Sequence, residues 1–326
     1  MRYRRMERLG WEVSEIGFGA WGIGGGWGER DDATALDALR RALDLGVTFV
    51  DTALGYGEGH SEQLIAQVVR DRPQPPIVAT KVPPKNRTWP ARPGTPLAEA
   101  FPRAHVLECA ARSAANLGVE TIDLLQYHVW DDAWAGASEW AETVQELKES
   151  GQIRGFGLSI NDHQPENALA ALETGLVDSV QVIYNIFDQT PAERLLPACR
   201  ERGIGVIVRV ALDEGGLTGA IRADTEFEPD DWRADYFAGD RKRQVEERVD
   251  ALGFLLHDGV STLAEAALRY VLSHDAVTTV IPGMRSPARV EANVAVSDGR
   301  PLPPEDLERL KDHAWPRNFY EPEPVA

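Results

Sequence analysis

The sequence predicts an α/β fold of the (β/α)8 barrel type. Eight short, β-rich apolar runs alternate along the chain with amphipathic patterns of helical period. A helix after each of eight strands is the arrangement of this barrel, whereas an open doubly wound sheet usually has fewer strands. Barrels of this kind reach 326 residues as single domains, so one domain covering residues 1–326 is expected.

The predicted elements follow one another without an internal repeat. The strands are expected at 15–21, 47–53, 76–81, 123–128, 153–159, 179–185, 205–210 and 278–283. The helices are expected at 32–45, 60–70, 103–117, 138–150, 164–174, 191–202, 261–273 and 287–297. Several of these helices end at a glycine, as helices commonly do, for example at Gly118 and Gly151.

Three segments fall outside this alternation. The connections 82–102 and 211–260, after the third and seventh strands, are too long for plain turns. Because both follow strands, they are expected at the C-terminal face of the barrel, where barrel active sites lie. The N-terminal stretch "MERLGWEVSEIGFG" predicts a hairpin that caps the barrel floor.

Composition excludes several classes of partner. The net charge of −18 argues against a nucleic-acid or anionic-membrane partner, and no apolar run reaches the length of a membrane span. The N-terminus lacks the apolar core of a signal peptide, so a cytoplasmic location is expected. Cys109 and Cys199 are expected to be free, buried thiols, and no metal-binding spacing surrounds them.

Four consecutive predicted strands end in a polar residue: Asp51, Lys81, His128 and Ser159. Taken singly, these residues suggest a helix cap, a surface charge or a core histidine. On a barrel, however, the ends of the strands converge on one small space, and Tyr56 lies just beyond Asp51. The joint pattern therefore predicts an active site.

The chemistry of these residue types gives the pattern a reason. A tyrosine has a pKa of about 10 and exchanges protons near neutrality only if its phenolate is stabilised. Lys81 is the natural partner, so we expect it to lower the pKa of Tyr56, while Asp51 keeps the lysine charged. His128 can hydrogen-bond a carbonyl oxygen of a substrate.

The segments "VDTALGYGEGHSEQLIA", "IVATK", "LLQYHVWD" and "IPGMRSPARVEAN" resemble the aldo/keto reductases, which are (β/α)8 barrels that reduce carbonyls with NADPH. The resemblance implies a catalytic tetrad of Asp51, Tyr56, Lys81 and His128, with Tyr56 as the acid. It implies a substrate pocket lined by Trp21, and Trp130 is expected there too. NADP(H) contacts are implied at Ser159, Asn161, Gln181, Arg209, Leu212, Gly283, Arg285, Ser286, Arg289 and Asn293.

Three of these positions, all arginines, admit alternatives. Arg209 stands where the family often has an aromatic that stacks on the nicotinamide, and a planar guanidinium can also stack. Otherwise it forms a salt bridge to Asp213 or Glu214. Arg285 and Arg289 lie at a predicted helix start, where the family contacts the 2′-phosphate and where a helix N-terminus favours an anion.

The alternative for the two arginines is pairing with Glu291 or Asp298. The usual "EN" of this motif is here Ala292-Asn293, so one adenine contact is missing or comes from Glu291.

The same residues are also compatible with other functions. A strand-end lysine also suits a Schiff-base lyase, although Asp51 would keep Lys81 protonated. A cofactor-binding regulatory subunit with weak turnover is a further alternative. The stretch "GFGAWG" at 17–22 matches a dinucleotide fingerprint, but no helix opens directly after it. The sequence predicts a small-molecule carbonyl substrate without naming it, and leaves the direction of reaction and the oligomeric state undetermined.

Overall fold

The computed structural model describes residues 1–25, 31–70, 72–257 and 259–318. Its centre is a sheet of eight parallel strands that neighbour one another in chain order, β3 to β10. Two further strands, β1 (Tyr3–Met6) and β2 (Trp11–Ser14), precede them. The eight are β3 (Phe18–Gly19), β4 (Phe49–Asp51), β5 (Ile77–Val82), β6 (Ile122–Tyr127), β7 (Ile153–Ser159), β8 (Ser179–Ile183), β9 (Gly205–Arg209) and β10 (Thr279–Val280).

The sheet curls until its first and last strands meet. Ile16 forms a parallel bridge with Val280, and Gly19 forms one with Gly283. The Gly19 amide donates to the carbonyl of Pro282 at 3.1 Å, and a Cβ on Gly19 would lie 2.4 Å from the carbonyl oxygen of Ile281. Glycine is therefore required at this seam. The bridges close the predicted barrel.

The N-terminal hairpin covers the barrel floor, as predicted. Strands β1 and β2 pair antiparallel. Met6 is fully buried, in a cluster with Phe49 and Ile207 from the barrel strands. Its side chain lies against Gly205, the first residue of β9, and the Leu9 side chain lies against Gly155 in β7. The hairpin thus seals the end of the barrel opposite to the strand C-termini.

Helices surround the sheet and bury apolar faces against it. In α2 (Asp32–Asp44), the N-cap Asp31 accepts a hydrogen bond from the amide of Thr34. Ala35, Leu39 and Ala42 are buried at helical spacing. The other helices are α1 (Trp21–Gly24), α3 (His60–Val69), α4 (Leu97–Ala100), α5 (Arg103–Leu117), α6 (Ser138–Glu149), α7 (Leu169–Glu173), α8 (Leu195–Glu201), α9 (Arg233–Tyr236), α10 (Arg241–Asp250), α11 (Leu263–Leu272), α12 (Pro287–Ala295) and α13 (Pro304–Leu310).

Two helices are shorter than the sequence predicts. The helix expected at 191–202 begins as a 3-10 turn, and α8 proper starts only at Leu195. Pro197 explains the late start, because proline fits the first turn of a helix but not its interior. The helix expected at 164–174 is reduced to α7, since the Asn167 side chain bonds the carbonyl of Trp130 at 2.6 Å and holds a turn there.

Both long connections are built on the C-terminal side of the barrel, as predicted. The one after β5 contains α4. The one after β9 opens with a 3-10 segment, Asp213–Thr218, and continues through α9 and α10. Its apolar side chains Phe237, Val245 and Leu252 are buried, so this loop is a packed part of the fold.

Both cysteines of the chain lie in the core. Cys109 and Cys199 are free and buried, as predicted, and burial raises their thiol pKa values to about 11 and about 12.

None of the helices among the described residues is long and apolar enough to cross a membrane.

Candidate active site

The site is built around a buried ion pair on neighbouring strands. Asp51 ends β4 and Lys81 lies in β5, and Lys81 is fully buried. The lysine Nζ lies 2.5 Å from Oδ1 of Asp51 and 2.8 Å from the carbonyl oxygen of Thr52. It also donates to the hydroxyl of Tyr56 at 3.4 Å. All three protons of the ammonium are thus engaged.

The second oxygen of Asp51 is also satisfied inside the barrel. Oδ2 accepts hydrogen bonds from Gln181 at 2.7 Å and from Gln126 at 3.2 Å. A buried charge is tolerated when it is paired and its remaining lone pairs are bonded. Gln126 was not singled out from the sequence. The sequence feature that could have identified Gln126 is its position as a polar residue within the apolar run of a predicted strand.

Tyr56 is placed by a glycine-rich turn. It begins the 3-10 segment Tyr56–Gly59, in which Gly57 has φ 62°. A Cβ on Gly57 would lie 2.3 Å from the carbonyl oxygen of Gly24, so the turn requires glycine there. The phenol is half-buried, and the Nζ of Lys81 lies 5.0 Å from the centre of its ring.

The pKa of Tyr56 is shifted in the direction opposite to that expected from the sequence. Burial raises it, the charge of Asp51 raises it further, and Arg209 opposes them only in part. The pKa of Tyr56 is therefore raised overall, whereas the sequence predicted a lowered value, because burial and the Asp51 carboxylate outweigh the nearby positive charge. The phenol consequently keeps its proton at neutral pH, which suits a proton donor.

Burial acts on the other two polar residues as well. It lowers the pKa of Lys81, and Asp51 offsets part of that effect. The pKa of His128 falls well below its usual value because of burial, with Lys81 and Arg209 adding to the shift. The imidazole is therefore neutral near pH 7.

His128 lies beside the phenol. It directly follows β6, and its amide donates to the carbonyl of Val82 at 3.1 Å. Its ring meets that of Tyr56 edge-on at 5.7 Å, and Trp89 lies 4.5 Å away on another side. Its buried Nδ1 has no hydrogen-bond partner among the described residues. The tyrosine and histidine thus both face the open end of the barrel.

The residues expected to bind the nicotinamide lie at neighbouring strand ends. Ser159 is paired with Gln181 across β7 and β8, and both are buried. The carboxamide of Asn161 bonds the backbone nitrogen and oxygen of Ala91 at 3.0 and 3.1 Å. That amide therefore joins two loops. The expected contact of Asn161 with the nicotinamide stays a prediction.

Arg209 ends β9 and is held in place by the loop after β7. Its guanidinium donates to the carbonyl of Ile160 at 2.9 Å and forms an ion pair with Asp162. The sequence had suggested Asp213 or Glu214 as a salt-bridge partner. Asp162 lies in the loop after β7, two strands away in the sheet, so its proximity to Arg209 follows from the barrel and not from chain distance. Leu212, a few residues on, is half-buried beside the 3-10 segment that follows it.

The start of α12 brings together the residues expected to hold a phosphate. Ser286 is the N-cap, and its hydroxyl accepts from the amide of Arg289 at 3.5 Å. Arg289 is exposed, and Arg285 is half-buried with its side chain against Gly22. Gly283 lies on the barrel seam, and Asn293 is buried on the inner side of the helix.

The two acids that were suggested as alternative partners for these arginines are occupied elsewhere. Glu291 pairs with Arg41 of α2 at 2.7 Å. Asp298 lies 2.9 Å from Arg269 and also pairs with Arg300. The carboxylate partners offered by the alternative interpretation are therefore committed to other cations.

Aromatic side chains line the mouth. Trp21 stacks on Tyr56 at 6.2 Å between ring centres, which fits its expected place in the substrate pocket. Trp232, from the loop after β9, lies 5.2 Å from Trp21. Sequence reasoning missed Trp232, because nothing near it in the chain connects it with the strand ends.

The expectation that Trp130 lines the pocket is wrong. Its side chain is fully buried and meets Trp134 and Trp140 edge-on at 5.6 and 5.2 Å. Its indole nitrogen donates to Asp132 at 3.1 Å. Trp130 is therefore packed in the layer between strands and helices, and it stabilises the fold.

A (β/α)8 barrel with a tyrosine, a histidine and a buried lysine–aspartate pair at its C-terminal mouth defines a class of barrel oxidoreductases. The sequence profile described as "Aldo/keto reductase family" matches residues 15–314. The chain belongs to this family, as the sequence motifs predict.

Individual relatives agree with this assignment. Aldo-keto reductase YhdN of Bacillus subtilis is 31% identical over 301 residues, covering 90% of this chain and 87% of that protein. The NADH-specific methylglyoxal reductase of Escherichia coli is 30% identical over 300 residues, covering 87% and 89%. The structure of a glycerol dehydrogenase from Gluconobacter oxydans matches with a TM-score of 0.80 at 28% identity, covering 99% of both chains.

Proposed function

We propose that this protein is an NADP(H)-dependent oxidoreductase that transfers a hydride between nicotinamide and a carbonyl or alcohol substrate. Tyr56 is its general acid in reduction and its general base in oxidation. The observation that carries the proposal is the contact of the Tyr56 hydroxyl with the Lys81 ammonium at 3.4 Å, at the barrel mouth, with the phenol still protonated at neutral pH.

The protein residues divide the proton chemistry among themselves. When bound, the nicotinamide supplies the hydride that reduces the carbonyl carbon. Tyr56 gives its hydroxyl proton to the carbonyl oxygen, and Lys81 stabilises the phenolate that this leaves. Asp51 keeps the ammonium protonated and fixed in position. The neutral His128, with its ring beside the phenol, is placed to donate a hydrogen bond to the same oxygen.

The proposed cofactor fits the residues at the start of α12. A capped helix N-terminus and two arginines give local positive charge on a protein whose net charge is −18. Glu291 and Asp298 form their ion pairs with Arg41 and Arg269, which lie outside this segment. Guanidinium groups bind phosphate through paired, charge-assisted hydrogen bonds. These features support NADPH over NADH as the cofactor of this protein, whereas the E. coli relative is named as an NADH-specific enzyme.

A direct assay tests the proposal. The purified protein is mixed with NADPH and a panel of aldehydes and ketones, and cofactor oxidation is followed by absorbance. Carbonyl-dependent oxidation of NADPH is expected. Tight NADPH binding without turnover on any carbonyl would instead favour the cofactor-binding regulatory subunit.

The Schiff-base alternative is disfavoured by the geometry. An amine must lose its proton before it attacks a carbonyl. The Lys81 ammonium is fully buried and donates to three acceptors, one of them a carboxylate at 2.5 Å. Treatment with borohydride in the presence of an aldehyde should leave Lys81 unmodified, and a covalent adduct on Lys81 by mass spectrometry would reverse this conclusion.

A further inference from the structure

The loop after β9 is held in shape by a buried tyrosine, Tyr236, whose bonding partners lie in the same loop. The Tyr236 hydroxyl donates to Oδ1 of Asp213 at 2.6 Å, and both residues are buried. Arg241 donates to the Tyr236 carbonyl at 2.6 Å and places its guanidinium 4.6 Å from the tyrosine ring centre. Tyr236 is therefore held at both its hydroxyl and its backbone, which fixes the plane of its ring.

Tyr236 in turn contacts the aromatic wall of the site. Its ring lies 5.2 Å from that of Trp232, which lies 5.2 Å from Trp21, and Trp21 stacks on Tyr56 at 6.2 Å. An unbroken series of ring contacts thus runs from the buried Tyr236 to the candidate proton donor. The half-buried Trp232 is the member of this series that the long loop contributes to the mouth.

The backbone beside Trp232 is also fixed. Asp231 is buried, and it accepts from the amide and the guanidinium of Arg233. Trp232 is therefore flanked by an ion pair and packed on Tyr236, so its indole has a defined position. A rigid indole at the mouth can recognise a flat apolar group by stacking, at little entropic cost.

Aromatic rings lie on the other side of Tyr56 as well. The ring of His128 meets Tyr56 at 5.7 Å, and that of Trp89 meets His128 at 4.5 Å. A carbonyl whose oxygen reaches the Tyr56 hydroxyl must place its substituent between these two walls. A planar substituent fits such a space better than a short flexible one, since it meets ring faces and edges together.

We infer that Trp232 determines specificity for carbonyl substrates with a flat apolar substituent, such as aromatic aldehydes, and that Tyr236 is a positioning residue that holds Trp232 against Trp21. This inference rests on the proposed carbonyl reductase function. It assigns to the loop after β9 the selection of the substrate, separately from the proton chemistry of Tyr56.

The test compares benzaldehyde with propanal, using NADPH and the full-length protein. Trp232→Ala should raise the KM for benzaldehyde about tenfold and leave the KM for propanal within about twofold. Trp232→Phe, which keeps an aromatic face, should recover part of the loss. Tyr236→Phe keeps the ring but removes the hydroxyl, and should raise the KM for benzaldehyde about threefold without a matching fall in kcat.

A matched control is Tyr270→Phe. The Tyr270 hydroxyl is likewise buried and bonded to another side chain, that of Tyr184 at 3.2 Å, but it lies on α11. Its removal should change neither KM. A purely structural effect of Tyr236→Phe would lower activity on both aldehydes together.

The outcomes separate the two proposals. Equal changes for both aldehydes, or none, in Trp232→Ala would overturn the inference while carbonyl reduction stands. Reduction of propanal but not benzaldehyde by the wild-type protein would also overturn it. If the wild-type protein reduces no carbonyl in the panel, the proposed function fails and the inference falls with it.

Discussion

Lys81 and Asp51 form an ion pair that is closed to solvent, with Nζ 2.5 Å from Oδ1 and 0% and 3% of the two side chains exposed. The pair joins neighbouring strands at the mouth of the barrel. How strongly Asp51 binds the Lys81 ammonium determines how strongly that positive charge acts on the Tyr56 hydroxyl. Because the carboxylate is nearer to the ammonium than the phenol is, the lysine acts mainly when a phenolate forms, and it does not ionise the resting tyrosine.

The first prediction concerns the contribution of this ion pair to the stability of the protein. Lys81→Met leaves the Asp51 carboxylate buried without its cation, which should lower the free energy of unfolding by about 3–5 kcal/mol. Urea denaturation measures the change. The control is Lys311→Met, which breaks an exposed ion pair with Glu308 of similar length and should cost less than about 1 kcal/mol. Equal losses in the two variants would show that the buried ion pair contributes no more to the free energy of unfolding than the exposed one.

Tyr56→Phe should abolish most carbonyl reduction while cofactor binding is kept. The variant retains the ring that packs on Trp21 but has no proton to donate, and general acid catalysis contributes typically 10²–10⁴-fold. Steady-state kcat and fluorescence titration with NADPH measure the two effects. A variant that keeps more than about a tenth of the wild-type kcat would remove Tyr56 from the role of proton donor.

Arg209→Ala should weaken NADPH and NADH alike. If the guanidinium, fixed by Asp162, stacks on the nicotinamide, both cofactors lose the same contact because both carry that ring. We expect each Kd to rise about three- to tenfold. Arg194→Ala, which removes an exposed arginine paired with Glu166, serves as the control. A loss confined to one cofactor, or no loss, would place Arg209 away from the ring.

Arg289→Ala should affect NADPH alone. The loss of one charged hydrogen-bond pair to the 2′-phosphate, about 1.5–3 kcal/mol, raises the NADPH Kd about ten- to a hundredfold. The NADH Kd should barely change, because NADH lacks that phosphate. Arg40→Ala, at an exposed arginine of α2 that pairs with Asp37, is the matched control. Equal losses for both cofactors would show that Arg289 does not recognise the 2′-phosphate.

The last prediction concerns pH and Glu214. Burial, then Asp213 and Asp162, raise the pKa of this carboxyl to about 8. A raised pKa means that the folded state holds its proton more tightly, so the associated stability is present at low pH and is lost as pH rises from above about 4.5 through about 8.

Glu214→Gln should remove this dependence. Its free energy of unfolding should fall about 4 kcal/mol less than that of the wild type between about pH 5 and about pH 8.5 if the full shift applies. Urea titrations at both pH values measure it, with Glu99→Gln, at an exposed position, as control. Parallel pH profiles for the wild type and Glu214→Gln would show that the carboxyl ionises as freely when folded as when unfolded.

Several features of this protein follow from the sequence by itself. Period and spacing give the eight strands, and a polar residue at the end of consecutive strands places Asp51, Lys81 and His128 at one mouth, because parallel strand ends in a barrel must converge. Tyr56 follows from its distance beyond Asp51, since a short turn cannot carry it far. These predictions depend only on local pattern and on the symmetry of the fold, and local pattern is what a sequence records directly.

Other features depended on distances between residues remote in the chain, and only the tertiary structure decided them. Trp232 reaches Trp21 and Arg209 reaches Asp162 because separate loops pack side by side, and no periodicity encodes which loop side chains meet. The burial of Trp130 between the strands and the helices depends on such packing too. The direction of the Tyr56 pKa shift depended on burial and on whether the ammonium lay nearer to the phenol or to Asp51. Electrostatic energies vary with distance and desolvation, so residue identities could name the participants but not the sign of the result.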